Sequence, residues 1–228
     1  MPYDDLWRER LETPTYRVGE AAMYAELSPQ TVKAWEKSYS HLSSVVSHRN
    51  PRDGLSFLQL IEVAVVARLR KKGVKLDEIR RARDYFSKRL ESPYPFAKEA
   101  FKTDGVDILI DFRKSDGGVY TDRMIAANRE GQMIWSEVIS ERLDEFNYER
   151  NGYAIQWFLR GREHAILVDP RLSYGSPSVK GVMTRVLKSR WKLGETVSEI
   201  ADDFDISKKL VLRALEFEGI STPGSIVH

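Results

Sequence analysis

Tyr16-Arg-Val-Gly-Glu-Ala-Ala-Met-Tyr-Ala-Glu-Leu-Ser28-Pro-Gln-Thr-Val-Lys-Ala-Trp-Glu-Lys37 reads as two short helices joined by a tight turn. Val18, Ala21, Ala22 and Tyr24 or Ala25 give the first helix one apolar face, and Leu27 falls where it plugs the turn. Ser28 is a natural N-cap and Pro29 suits a first helical position, where no backbone N–H is needed. Val32 and Trp35, three apart, return the second helix to the core, and Trp35 is assigned there rather than to base stacking. Gln30, Thr31, Lys33, Ala34 and Lys37 are left facing outward, on the side that a reading helix turns into a major groove.

Working outward, Tyr39 to Gly54 is rich in Ser, Asn, Pro and Gly, which is turn chemistry. Leu42, Val45 and Val46 are expected to pair as short strands around a basic tip, His48-Arg49-Asn50-Pro51-Arg52. Such a wing brings Arg49 and Arg52 to the DNA backbone. Leu55 to Lys72 predicts a long helix capped by Ser56, too densely apolar for one exposed face. A second helix runs from Val74 to about Leu90 with Leu76, Ile79, Ala82, Tyr85 and Phe86 on one stripe. This pair either supports the reader or packs on a second copy of the chain.

From Ser92 the period changes. Val106 to Phe112, Val119 to Asp122, Gln132 to Trp135 and Tyr153 to Leu159 predict strands of a small antiparallel sheet, with a short helix around Ser136 to Leu143. Ala165 to Val168 predicts a buried strand. At the far end, Gly194 to Glu218 predicts a second helix, turn and helix, with Thr196 and Glu199 forming a capping box and Ser207 a further cap. The expected fold is therefore α+β: an N-terminal winged helix-turn-helix over residues 1–92, then a partner-binding and dimerisation region over 93–228. The latter divides into a sheet region, 93–165, and a three-helix bundle resembling a helix-turn-helix, 166–228.

The chain has 228 residues, 42% of them apolar and none of them cysteine. That excludes a disulfide scaffold, a thiol nucleophile and a cysteine-ligated metal. No apolar run approaches the ~18 residues that cross a bilayer, and the acidic start is the wrong shape for a signal peptide, so a cytoplasmic location is expected. Net charge is only +2, yet Ser28 to Leu90 holds fourteen basic residues against six acidic ones, a local +8. A positive lobe beside an acidic remainder suits phosphate-backbone binding, because counterion release scales with the cations brought to DNA. For Arg80, Arg81 and Arg83, a solvated helix face is an equally good reading of the pattern.

Enzyme readings do poorly. His41, His48, His164 and His228 lack ligand spacing, and no phosphate cradle or nucleophile elbow is present in the sequence. Asp107, Asp111 and Asp122 are the only carboxylates suited to a nuclease, and strand solubility explains them better. Asp202, Asp203 and Asp205 diverge by ~100° per residue around a helix, which favours a solvated face over a metal site. No catalytic residue, metal or cofactor is expected.

Residues 16 to 90 resemble the MerR-like winged-helix readers, on Tyr16, Val18, Gly19, Glu20 and Ala22; Ser28, Pro29 and Thr31; Leu55 to Phe57; and Gly73, Val74, Leu76, Glu78 and Ile79. Residues 166 to 218 resemble a short prokaryotic domain family of unassigned function, on Asp169, Pro170, Arg171, Gly175, Pro177, Val179, Gly181 and Gly194 to Phe204. The chain departs from that family after Gly181, where a shifted or bulged strand is expected. The two ends together resemble the large VapB-type antitoxins of VapBC toxin–antitoxin pairs. That resemblance implies a homodimer that masks a PIN-type ribonuclease toxin and represses its own promoter by binding double-stranded operator DNA. A stand-alone regulator whose C-terminal region dimerises or senses a ligand is the alternative.

The expected DNA contacts are Gln30, Thr31, Lys33, Lys37, Arg49 and Arg52. Arg160, Arg162 and His228 are candidates for the toxin contact, since a cation can replace a metal in an acidic site. The acidic residues before the last helix favour a protein contact there over DNA.

Overall fold

The computed structural model describes residues 6–38, 43–47, 53–102, 105, 143–149 and 152–221. They form two compact units, 1–155 and 156–228, with the division inside a strand. The boundary expected after residue 92 would assign the following segment to the second unit. Instead the described residues of 93–155 group with the first.

In the first unit, helix α1 (Leu6–Glu12) leads to α2 (Val18–Tyr24) and α3 (Pro29–Trp35), and then to α4 (Phe57–Lys71) and α5 (Leu76–Arg89). Helix α4 is the centre of the unit. It is buried without a break from Phe57 to Ala67 and again at Leu69, because α1, α2, α5 and a 3-10 turn at Pro95–Ala97 all pack on it. The density that ruled out a single exposed face is thus met by the chain's own helices. Burying side chains of this size contributes ~1.5–3 kcal/mol each, so α4 carries much of the unit's stability.

The ends of these helices follow local chemistry. Ser56 accepts from the Gln59 amide while Gln59 Oε1 accepts from the Ser56 amide at 2.8 Å, a reciprocal cap that starts α4. Gly73 sits at φ 92°, and the Val74 amide reaches back to the Leu69 carbonyl at 3.0 Å, the left-handed stop that favours glycine. Helix α5 buries Ile79, Ala82 and Phe86. Phe86, Phe96 and Phe101 then cluster, with Phe101 5.0 Å from each of the other two ring centroids.

The strands β1 (Phe146–Tyr148), β2 (Ala154–Leu159), β3 (Ile166–Val168), β4 (Ser178–Val179) and β5 (Val182–Met183) follow sheet order β1-β2-β3-β4-β5. Trp157 pairs with Val168 and Leu159 with Ile166, and all four are buried. Lys180 and Gly181, at φ 46° and 82°, make the two-residue turn between β4 and β5, the geometry that matches strand twist. Helices α6 (Thr184–Lys192), α7 (Val197–Asp203) and α8 (Lys208–Phe217) complete the second unit. After Gly181, where a shifted or bulged strand is expected from the sequence, β5 runs straight into α6, whose first residue, Thr184, donates its amide to the Pro177 carbonyl at 2.9 Å.

Of the expected central strands, only Tyr153 to Leu159 falls among described residues, where β2 meets it. Val106 to Phe112, Val119 to Asp122, Gln132 to Trp135 and the helix from Ser136 lie outside them, apart from a 3-10 turn at Leu143–Glu145. Asp107, Asp111 and Asp122 lie outside them too.

Candidate nucleic-acid interface

Helix α3 has two distinct sides. Val32 is fully buried and Trp35 4% exposed, whereas Gln30, Lys33 and Ala34, and Lys37 just beyond the helix, are exposed. Thr31 is half-buried, and its hydroxyl lies 2.9 Å from Ser28 Oγ, so this side chain is drawn into the cap. The turn before α3 closes with Glu26 in the left-handed region at φ 57°. The Leu27 amide donates to the Ala22 carbonyl at 2.8 Å, which is the 6→1 bond of a Schellman stop.

The chain leaving α3 is held at both ends by one face of α5. Arg80, 3% exposed, donates from Nη2 to the Lys37 carbonyl at 3.3 Å. One turn further on, Arg83 donates from Nη2 to Ser47 Oγ and to the Pro93 carbonyl, each at 2.7 Å. Ser47 also donates its amide to Glu62 Oε2 at 2.8 Å, and its carbonyl accepts from Gln59 Nε2 at 3.1 Å. Glu62 lies 3.4 Å from Arg83 and is wholly buried. Burial pushes its carboxyl above the ordinary range, against the pull of Arg83 and of the Ser47 hydrogen bonds.

Arg80 and Arg83 are therefore interior joints, and the solvated-face reading fails for both. Arg68 is half-buried and paired with Glu145 at 3.4 Å. Periodicity could not assign these cations, because a guanidinium is buried only when tertiary partners satisfy its donors. The signal available in sequence was the i, i+3 spacing of Arg80 and Arg83 on the stripe side of α5, with Glu62 inside an apolar helix.

Val45 and Val46 are fully buried, and the Val45 amide donates to the Trp35 carbonyl at 3.1 Å. No strand is formed over 43–47, so this part of the expected wing packs as irregular chain. The bridge that does form joins Tyr16 to Leu55. Gly54 permits it: a Cβ there would stand 2.7 Å from the Tyr16 carbonyl oxygen. Arg49 and Arg52 lie outside the described residues.

In the second unit, Arg160 and Arg162 flank Gly161 at the exposed tip between β2 and β3. The Arg160 guanidinium stands 5.6 Å from the Phe217 ring centroid and that of Arg162 4.5 Å from Phe158. Arg213 of α8 donates to the Glu163 carbonyl, which ties the tip to that helix. His228 lies outside the described residues. Asp169, 1% exposed, accepts from the Arg171 amide and guanidinium and from Gln156. Burial alone would raise its carboxyl, but these hydrogen bonds outweigh it and hold the group below the usual range.

Helices combined with an antiparallel sheet place the chain in the α+β class. Among solved structures it is similar to Rv2018 from Mycobacterium tuberculosis, known from an X-ray crystal structure, with a TM-score of 0.73 and 20% identity over 90% of this chain and 99% of that one. At that identity the likeness establishes a shared fold. No family model and no curated protein matches the chain.

Proposed function

We propose that this chain is a VapB-type antitoxin whose N-terminal helix pair, α2 and α3, reads double-stranded operator DNA as a homodimer. On this reading the rest of the chain binds and masks a PIN-type ribonuclease toxin, and the complex represses its own promoter. The observation that carries the DNA reading is the two-sided α3: an apolar side sunk in the core, an outward side of Gln30, Lys33 and Lys37, and a buried arginine fixing its exit. Gln and Lys side chains offer the hydrogen bonds that read base edges. The ribonuclease partner rests on the resemblance of the two ends to large VapB-type antitoxins, with exposed Arg160 and Arg162 as its contact residues.

The test is affinity purification of a tagged full-length chain from its source cells, with bound protein and DNA identified together. A small acidic-site ribonuclease in near-equal amount, with DNA from the chain's own promoter, is the expected result. Recovery of DNA without that protein would replace the antitoxin by a stand-alone regulator. Recovery of neither would end the proposal.

A further inference from the structure

The two ends of the chain carry helix pairs that align without a gap, Arg17 to Trp35 with Thr196 to Ala214, although the second helix is seven residues long in one and ten in the other. Each first helix opens with a glutamate that turns back to the cap amide: Glu20 accepts from the Arg17 amide at 2.7 Å and Glu199 from the Thr196 amide at 2.8 Å. Each ends on an acidic residue in the left-handed region, Glu26 at φ 57° and Asp205 at φ 49°. An apolar residue then makes the same return bond, from Leu27 to Ala22 at 2.8 Å and from Ile206 to Ala201 at 3.0 Å. Ser28 and Ser207 cap the second helices in the same way, accepting from the Thr31 and Leu210 amides. Four buried positions correspond, Ala21 with Ile200, Ala22 with Ala201, Val32 with Val211, and Trp35 with Ala214, whereas buried Tyr24 has exposed Asp203 in its place and buried Ala25 half-buried Phe204.

We propose that α7 and α8 form a second duplex-DNA reader, with Lys208 and Lys209 in the first turn of α8 as its DNA contacts. This rests on the reading of α2 and α3 as a DNA reader and extends it to the other end of the chain. Lys208 and Lys209 are both exposed and occupy the places of Pro29 and Gln30. Reading helices meet bases through their N-terminal residues, so an exposed first turn is sufficient. The later part of α8 is occupied, since Leu212 and Arg213 are half-buried and Arg213 is bound to the Glu163 carbonyl. Contact is thereby confined to the first turn, leaving Arg160 and Arg162 to another partner.

Apart from Asp202, which is exposed, the acidic residues of this pair weigh less against phosphate than their number suggests. Arg190 engages both Glu195 and Asp203, and Glu199 is turned into its cap. Asp205 sits at the same stop as Glu26, so α2 and α3 carry a comparable acidic residue at the same point.

The experiment uses the full chain and a duplex that the wild type selects from a random-sequence pool. Binding of the K208Q/K209Q double variant and of Lys33→Gln is measured over a range of salt concentrations, with footprints of each complex. If α8 reads DNA, the double variant loses affinity by at least tenfold, the salt slope falls by ~0.9 for each phosphate no longer neutralised, and one protected segment disappears from the footprint. Restoring charge with K208R/K209R recovers affinity, slope and footprint. If Lys33→Gln weakens binding while the double variant keeps affinity, slope and footprint, the second reader is refuted and the first stands. Loss of a co-purifying protein from the double variant with DNA binding intact refutes it in favour of a protein contact. If the wild type selects no duplex, the reading of α2 and α3 falls and the second reader falls with it.

Discussion

Replacing Arg83 by Met removes the partner of a carboxylate from which water is excluded. The side chains are similar in length, so packing along α5 is largely kept, but Glu62 is left with the Ser47 amide and hydroxyl alone. Breaking a buried ion pair from one side costs ~3–5 kcal/mol, because the remaining charge is uncompensated. That is a large share of the ~5–15 kcal/mol of a typical domain. The double variant Glu62→Gln with Arg83→Met recovers most of the loss, since a neutral amide oxygen still accepts from Ser47 and no charge remains buried.

The pH dependence of that loss has a definite sign. Burial already holds the Glu62 carboxyl above its ordinary 4.5, so above pH 4.5 the folded chain keeps a proton that the unfolded chain releases. The stability this contributes is fully present below 4.5 and is lost as pH rises through the folded value. Without Arg83 the folded value moves higher, so the single variant gains on the wild type as the solution is acidified towards 4.5. Urea unfolding followed by circular dichroism, with amide exchange at Val45 and Ser47, reads both effects. A loss under ~1 kcal/mol at neutral pH, against the ~3–5 expected, would overturn this account of the Glu62 joint; so would a double variant as damaged as the single one, or no recovery in acid.

Other consequences are simpler to check. Lys33→Ala is expected to relax base preference by ~1–3 kcal/mol at one position, whereas Arg52→Ala weakens all sequences alike and lowers the salt slope by ~0.9; competition binding between duplexes separates the two. Asp169→Ala removes the carboxylate that accepts from Arg171 and Gln156 and is expected to lower stability by ~1.5–3 kcal/mol, as for hydrogen bonds to a charged group. Because the Asp169 carboxyl is held low, the stability from its ionised form is present above its unfolded value of 3.8 and is lost as pH falls through the folded value, so the wild type and this variant converge in acid. Gly54→Ala brings a methyl group to 2.7 Å from the Tyr16 carbonyl oxygen and is expected to cost ~1–3 kcal/mol by overpacking, seen as a lower Tm.

Residues near one another in sequence were legible because their physics is local. Ser28, Ser56, Thr196 and Ser207 all cap the helices they announced, since a cap needs only an oxygen two or three residues before an orphan amide. Val32 and Trp35 are buried and Gln30, Lys33 and Lys37 exposed, as a 3.6-residue period dictates. The Gly73 stop follows from one left-handed residue, whose conformation depends on nothing distant.

The four capped helix starts, the Gly73 stop, which way α3 faces, and the strand within Tyr153 to Leu159 are therefore written in local sequence. The fate of charge and of irregular chain was settled instead by tertiary packing. Arg80 and Arg83 look like solvated cations in a basic run and are in fact buried joints, because the Lys37 and Pro93 carbonyls and Glu62 converge on them from other elements. Val45 and Val46 suggest a strand by composition, yet they are buried as irregular chain, tied to α3 by the Val45 amide on the Trp35 carbonyl, while Leu55 takes the bridge to Tyr16. Burial of a charge or an unpaired strand depends on partners supplied from far along the chain, and no local pattern encodes where those partners will be.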